Sequence, residues 1–432
     1  MSNQKFDTER LHAGYDPADH QYASSVPIYE SAAFGFGDAA RANGILGGTV
    51  SGYSYTRNGN PTTAVLEKRI AALEGGVDAV AVGSGMAAIT YTILNVAEGG
   101  GRILAPTNIY GASLDEFRTL FPKFGIQFDF YDDVNDLDEV KKRLHPDTKA
   151  IYVESVANPS TEITDIEALA KIAHENGIPL IVDNTFPTPY LLQPFKFGAD
   201  IDVYSSTKGI NGHGNVISGL VVDHGQFDWA NGKFPQFTEP EFTLGDEESG
   251  KQVSFVDKFG KGAFAARIQT KYVRLFGGLL GPFEAYLVLL GLETISERLE
   301  KEVANATAVA KYLAANPHVK RVYYSSIEPN NSLLPKYFPK GIGAILAFEA
   351  SGSEKEVANI LDNVELFSYL PNVGDAKSLI VNPTRTTHRE IPSAIRAKHA
   401  LNNQVIRLSI GLEDAADLIA DLDQAITKAF NK

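Results

Sequence analysis

The run VYSSTKGINGHGNVI (203–217) carries one amine, Lys208, at the exit of an apolar strand and directly behind Ser205, Ser206 and Thr207. An isolated loop lysine is usually solvated and inert. A desolvated amine among neutral hydroxyls behaves differently, because its pKa falls and the neutral form attacks a carbonyl to make an imine. One strand earlier, PLIVDNT (179–185) delivers Asp183 at the end of an apolar run. Upstream, VAVGSGMAA (80–88) leaves a strand in glycines and enters a helix. There the backbone N–H groups of Gly85 and Met86 can hold one phosphate. APTNIYGAS puts Tyr110 at another strand exit, and IYVESVANP puts Asn158 at a third.

These residues need a scaffold that brings strand ends together. Short apolar strands are expected at 77–83, 101–106, 126–132, 149–155, 179–185 and 202–208, with helices between them at 86–101 and 163–177. That alternation is the pattern of a doubly wound, mostly parallel sheet, whose ligands bind beyond the strands' carboxyl ends. The sheet is expected to close with GNVISGLVVDH (214–224). Residues 1–62 lack periodicity and read as an extended arm; Asn60-Pro61 then starts a helix that Gly75-Gly76 stops. The polar stretch 226–255, dotted with aromatics, reads as a surface loop of the kind that often forms a lid or entrance wall. A long helical pattern at 279–316, broken near Gly291, leads into a C-terminal domain. The expected division is an arm (1–62), a cofactor-binding α/β domain (63–280) and a smaller α+β domain (281–432).

A chain of 432 residues with 44% hydrophobic and 21% charged residues is expected to form two or three globular domains. A net charge of −14 argues against a nucleic-acid partner, since phosphate backbones call for a basic face. No apolar run is long enough to span a bilayer, and the charged first thirty residues do not resemble a signal peptide. Without cysteine there is no disulfide, thiolate nucleophile or Cys-based metal site, which fits a cytoplasmic enzyme. Gly83-x-Gly85-x-x-Ala88 resembles a dinucleotide fingerprint, but the following strand exit, ILAPTNIYG, lacks the acid that would hold a ribose. Dinucleotide binding is therefore rejected.

One molecule explains the remaining groups together. Pyridoxal 5'-phosphate is a flat, phosphorylated aromatic aldehyde with a basic ring nitrogen. Lys208 would take its aldehyde and Asp183 would keep the ring nitrogen protonated. Tyr110 would stack on the ring, and Gly85, Met86, Ser205 and Thr207 would serve the phosphate.

LHAGYDP, PIYESAAF, YSYTRNGNPTT, GSGMAA, NIYGAS, VDNTF, SSTKGINGHG and VIRLSIGLED together resemble the Cys/Met-metabolism pyridoxal-phosphate enzymes over nearly the whole chain. The resemblance implies the fold-type I transferase architecture, with a seven-stranded sheet and a homodimer or homotetramer that shares active sites. It also implies that Tyr55 and Arg57 reach a neighbouring subunit's phosphate and that Tyr110 assists proton transfer. By the same resemblance Arg407 binds the substrate carboxylate, with Ser378 as a helper nearby. Within the family, the 226–255 insert and Ala112 favour the O-acetylhomoserine sulfhydrylase branch, which replaces a γ-acyloxy group by sulfide or a small thiol. Cystathionine γ-synthase and methionine or cystathionine γ-lyase remain alternatives. The run NPTRTTH (382–388) departs from the branch pattern at Asn382 and Arg385; an extra arginine near the carboxylate site could alter the preferred acyl group or thiol, or be a neutral surface change.

Overall fold

The computed structural model describes residues 4–245, 250–329, 331–396, 398–399 and 401–431. Seven strands form the large sheet: β1 (Asp78–Val82), β2 (Gly101–Pro106), β3 (Ile126–Tyr131), β4 (Thr148–Glu154), β5 (Leu180–Asp183), β6 (Ile201–Tyr204) and β7 (Gly219–Asp223). Their spatial order is β1-β7-β6-β5-β4-β2-β3. Only β7 runs against its neighbours, so β1 and β6, which flank it, point the same way. The carboxyl ends of the six parallel strands therefore share one edge. β4 to β7 are buried almost throughout, as expected where helices cover both faces.

Local signals set the helices that reach this edge. The helix Phe6–His12 (α1) and the helix Ala39–Leu46 (α2) lie within the first 62 residues, where an extended arm was expected. α1 buries Phe6 against Tyr190, with ring centroids 5.3 Å apart, and it pairs Arg10 with Asp7 and Glu297. Two turns are too short to show an apolar period, and this is why the sequence pattern missed it. Helix α3 (Pro61–Glu74) begins as expected: the Asn60 side chain accepts from Thr62 N at 2.9 Å, and Gly75 ends it in a left-handed conformation (φ +81). Helix α4 (Gly85–Val96) follows β1 and is capped by Ser84, whose hydroxyl accepts from Ala87 N at 3.1 Å.

The stretch 226–255 is anchored rather than lid-like. Trp229, Phe234, Phe237 and Phe255 are buried, and Trp229 stacks on Phe237 and Phe264 at 4.4 and 5.0 Å. Its aromatics follow neither a helical nor a strand period, so burial could not be read from spacing. Residues 246–249 of this stretch lie outside the described residues.

The long helical pattern divides into Pro282–Glu293 and Ile295–Ala315, meeting at Thr294 rather than at Gly291. Gly291 has a different role: a Cβ there would stand 2.7 Å from the Cα of Asn211, so the helix lies hard against the loop that follows Lys208. Buried Arg298 adds N–H bonds to the carbonyls of Gly209 (3.0 Å) and Ile210 (3.1 Å). Beyond these helices a second sheet has the order β10-β11-β12-β9-β8. Its strands are β8 (Val319–Tyr323), β9 (Ile345–Ala350), β10 (Ser368–Tyr369), β11 (Leu379–Val381) and β12 (Val405–Ser409). Among the described residues no helix is long and apolar enough to cross a membrane.

Candidate active site

β5 and β6 end side by side, and the chain beyond each end turns into one cavity of about 240 Å³. Ser205, Thr207 and Lys208 leave β6 into this space, while Asp183 is the last residue of β5. The Lys208 backbone is pinned by its N–H to Ser205 O (3.1 Å) and by Gly212 N to its own carbonyl (2.8 Å). Its Nζ donates to Asn372 Oδ1 at 2.6 Å. Burial, and then the nearby Arg407 guanidinium, bring the Lys208 amine down to about 8. The structure thus contains the desolvated lysine that strand-end placement suggests.

Across the cavity Asp183 accepts from Thr185 N at 3.0 Å and from the Tyr152 hydroxyl at 3.3 Å. Burial raises its pKa, and these hydrogen bonds oppose the rise. A bound cation would pull the group back toward its charged form. Glu154, in register with Asp183 at the end of β4, also lines the cavity. It accepts from Tyr110 N at 2.6 Å, and burial holds its pKa well above the ordinary carboxylate range. Sequence reasoning passed over Glu154 although it ends IYVE just as Asp183 ends LIVD. Tyr110, 41% exposed, stands at the cavity mouth.

Gly85 and Met86 form the third wall, at the first turn of α4. A Cβ on Gly85 would stand 2.6 Å from the Ser205 Cβ, so only glycine lets the turn come this close to the strand exit. The Thr207 hydroxyl donates to Ser218 O (3.1 Å) and accepts from Ser218 N (2.8 Å), which fixes it at the same end.

Arg407, from the centre of β12, closes the cavity from the smaller sheet. Its Nη1 donates to Asn158 Oδ1 and its Nη2 to Asn372 O, each at 3.3 Å. Burial lowers its pKa to about 10, and among the described residues no carboxylate lies within ion-pair reach. A buried guanidinium without an acid is an open site for a ligand's carboxylate.

The structure places the remaining sequence-predicted residues away from this cavity. Ser378 does not line the cavity: its hydroxyl donates to Glu413 at 2.8 Å and accepts from Gly411 N at 2.9 Å, so it is fully engaged elsewhere. Arg385 is exposed and ion-pairs with Glu354, while Asn382 caps the turn by accepting from Arg385 N at 3.1 Å. Neither lines the cavity with Arg407: Arg385 is a surface residue, and Asn382 is buried in the turn that it caps. Tyr55 and Arg57 also lie outside the cavity of their own chain; the Arg57 guanidinium sits 5.3 Å from the Tyr55 ring centroid and donates to Arg274 O. Asn372, which touches both Lys208 and Arg407, was not singled out from sequence; only its place in a loop of the second sheet brings it here.

The groups present fit pyridoxal phosphate: a buried amine near neutrality, an acid opposite it, a glycine-tight helix start and an unpaired guanidinium. Comparison with known proteins agrees. The chain is similar to an O-acetyl-L-homoserine sulfhydrylase of Leptospira meyeri, 39% identical over 98% of this chain and 97% of that protein. It is also similar to the homocysteine synthase of Schizosaccharomyces pombe, 39% identical over 99% of this chain and 100% of the other. A solved Campylobacter jejuni structure, described as a putative O-acetylhomoserine (thiol)-lyase with N'-pyridoxyl-lysine-5'-monophosphate, superimposes with a TM-score of 0.93 at 36% identity. That match covers 98% of this chain and 100% of that one. The family model for Cys/Met metabolism PLP-dependent enzymes matches residues 7–427, and the chain belongs to that family.

Proposed function

We propose that the protein catalyses a γ-replacement, converting O-acetyl-L-homoserine and sulfide (or a small thiol) into L-homocysteine (or methionine) and acetate. The observation that carries this reading is a single cavity holding a lysine amine lowered to about 8 and a buried arginine with no acid partner. Bound pyridoxal phosphate supplies an electron sink for negative charge developing on the amino acid's carbons.

The chain's own residues supply the remaining functions. Arg407 takes the α-carboxylate in a two-pronged contact, held in place by Asn158 and the Asn372 carbonyl. Lys208 removes the α-proton and relays protons to neighbouring carbons, since its flexible stem reaches several positions and its pKa lies near the working pH. Asp183 would balance the positive ring nitrogen of that group, and Gly85, Met86, Ser205 and Thr207 would hold its phosphate. Tyr110, at the cavity mouth, would stack on the ring and assist proton transfer. Ile89, Val156, Phe186 and Val373 make much of the remaining wall apolar, limiting water at the reacting carbons.

Tyr55 and Arg57 complete the phosphate site of a neighbouring copy, making the working form a homo-oligomer with shared sites, a dimer or tetramer in the cytoplasm. Their position outside their own cavity, with Tyr55 43% exposed, supports this. The function is tested by incubating purified enzyme with O-acetylhomoserine plus sulfide, and separately with methionine or cystathionine alone. Homocysteine from the first mixture is the expected result. Formation of 2-oxobutyrate from the second, with no homocysteine from the first, would move the protein to the γ-lyases.

A further inference from the structure

Among the described residues Asn372 alone hydrogen-bonds to both cationic groups of the cavity: its side-chain oxygen accepts from Lys208 Nζ at 2.6 Å and its main-chain oxygen accepts from Arg407 Nη2 at 3.3 Å. The loop that presents it is locked to the lysine loop. Gly374 takes a left-handed conformation (φ +66), and a Cβ there would stand 2.6 Å from Gly209 N and 3.1 Å from Lys208 C. Gly374 N donates to Ser409 Oγ at 2.8 Å, and Ala376 N donates to Gly212 O at 2.9 Å. Asn372 is therefore held by the backbones of both sheets' loops.

We propose that Asn372 is a positioning residue that fixes where the Lys208 amine stands whenever that amine is free, and so aims its lone pair at the substrate carbons. The inference rests on the lysine's assignment as the proton-transferring base. An amide oxygen suits this task better than a carboxylate. It accepts one N–H from the amine in either protonation state, which sets direction, yet it carries no charge that would hold the amine as an ammonium. With an acid in its place the lysine would be paired, as buried ammonium groups usually are, and would lose its basicity near neutral pH. The burial-lowered value of about 8 agrees with that choice of residue. The shared contact also ties the position of the base to the arginine that reads the carboxylate, so amine and carboxylate are placed by one loop.

The experiment compares wild type with Asn372→Asp, Asn372→Ala and Gly374→Ala. In full-length protein freed of cofactor, Lys208 modification by acetic anhydride is followed against pH by peptide mass spectrometry. Asn372→Asp is expected to move the half-modification pH upward by about one unit or more, as an adjacent carboxylate favours the charged amine. In loaded enzyme, Asn372→Ala and Gly374→Ala are expected to lower kcat by roughly 10- to 100-fold, through misplacement of the base, with KM changed far less. The proposal is overturned if Asn372→Asp leaves the midpoint unmoved, if Asn372→Ala keeps wild-type kcat, or if it raises KM alone. Borohydride reduction of loaded wild type separates the two ideas. A tag on a lysine other than Lys208 removes the underlying assignment, while the labelling of unloaded protein still decides Asn372.

Discussion

Asp183 and Asp202 sit on adjacent strands, β5 and β6, with Asp202 in register with Val182. Burial raises the pKa of both. Their surroundings differ completely. Asp183 ends its strand, accepts two hydrogen bonds and faces a cavity that contains Lys208 and Arg407. Asp202 is the second residue of its strand, and neither of its oxygens has a partner. Its neighbour Glu74, from α3, is raised to about 8 by burial and accepts from the Tyr204 hydroxyl. A perturbed acid therefore does not mark a reaction site by itself. What separates the two regions is position along the strand: at the carboxyl edge an acid meets opposite charge and open space, whereas mid-strand it meets helix α3 and burial favours its neutral form.

The comparison is broken most directly at the lysine. Lys208→Ala is expected to abolish turnover and the visible absorbance of the lysine-linked cofactor, because among the described residues no other amine lines the cavity. Activity and an absorption spectrum measure both, and a variant that still turns over would place the chemistry elsewhere.

Arg57 sharpens the comparison, being proposed for the cavity of a neighbouring copy while it lies outside the cavity of its own chain. Arg57→Ala is expected to weaken cofactor retention by roughly 10- to 100-fold, the scale of one lost charge-assisted phosphate contact. Mixed with Lys208→Ala under subunit-exchanging conditions, it should recover part of the activity, since one of the two hybrid sites is intact. No recovery in any mixture would show that Arg57 serves only its own chain, where it donates to Arg274 O.

The sequence showed the strand-end residues because the sheet's geometry makes that edge predictable. Lys208, Asp183, Asn158, Tyr110, Gly85 and Arg407 all meet in one cavity. Asn372 was invisible because its loop has no period or motif of its own, and its role depends on how the smaller sheet docks. Ser378 was misjudged for the related reason that nothing in AKSLIVNP announces Glu413 as its partner. The 226–255 stretch looked polar by composition, yet a few irregularly spaced aromatics were enough to anchor it. Periodicity reveals regular elements, whereas contacts made by single side chains across a fold leave no trace in spacing.

The smallest effect concerns the buried acids away from the cavity. Glu74 has a folded pKa of about 8 against an ordinary value of 4.5, so between those values the unfolded chain loses a proton that the folded chain keeps. Stability from this group is full below pH 4.5, declines as pH rises and is lost above about 8, with a slope on the order of 1 kcal/mol per pH unit. Glu74→Gln keeps an oxygen to accept from Tyr204 and replaces the unpartnered Oε2 with N–H donors beside the unbonded oxygens of Asp202. Thermal melts at pH 5.5 and 8 should therefore show a smaller pH difference for the variant than for wild type, with activity within about twofold because Glu74 lies outside the cavity. An identical pH difference would mean that Glu74 ionises normally in the folded chain, and that the proton in this cluster rests on Asp202 instead.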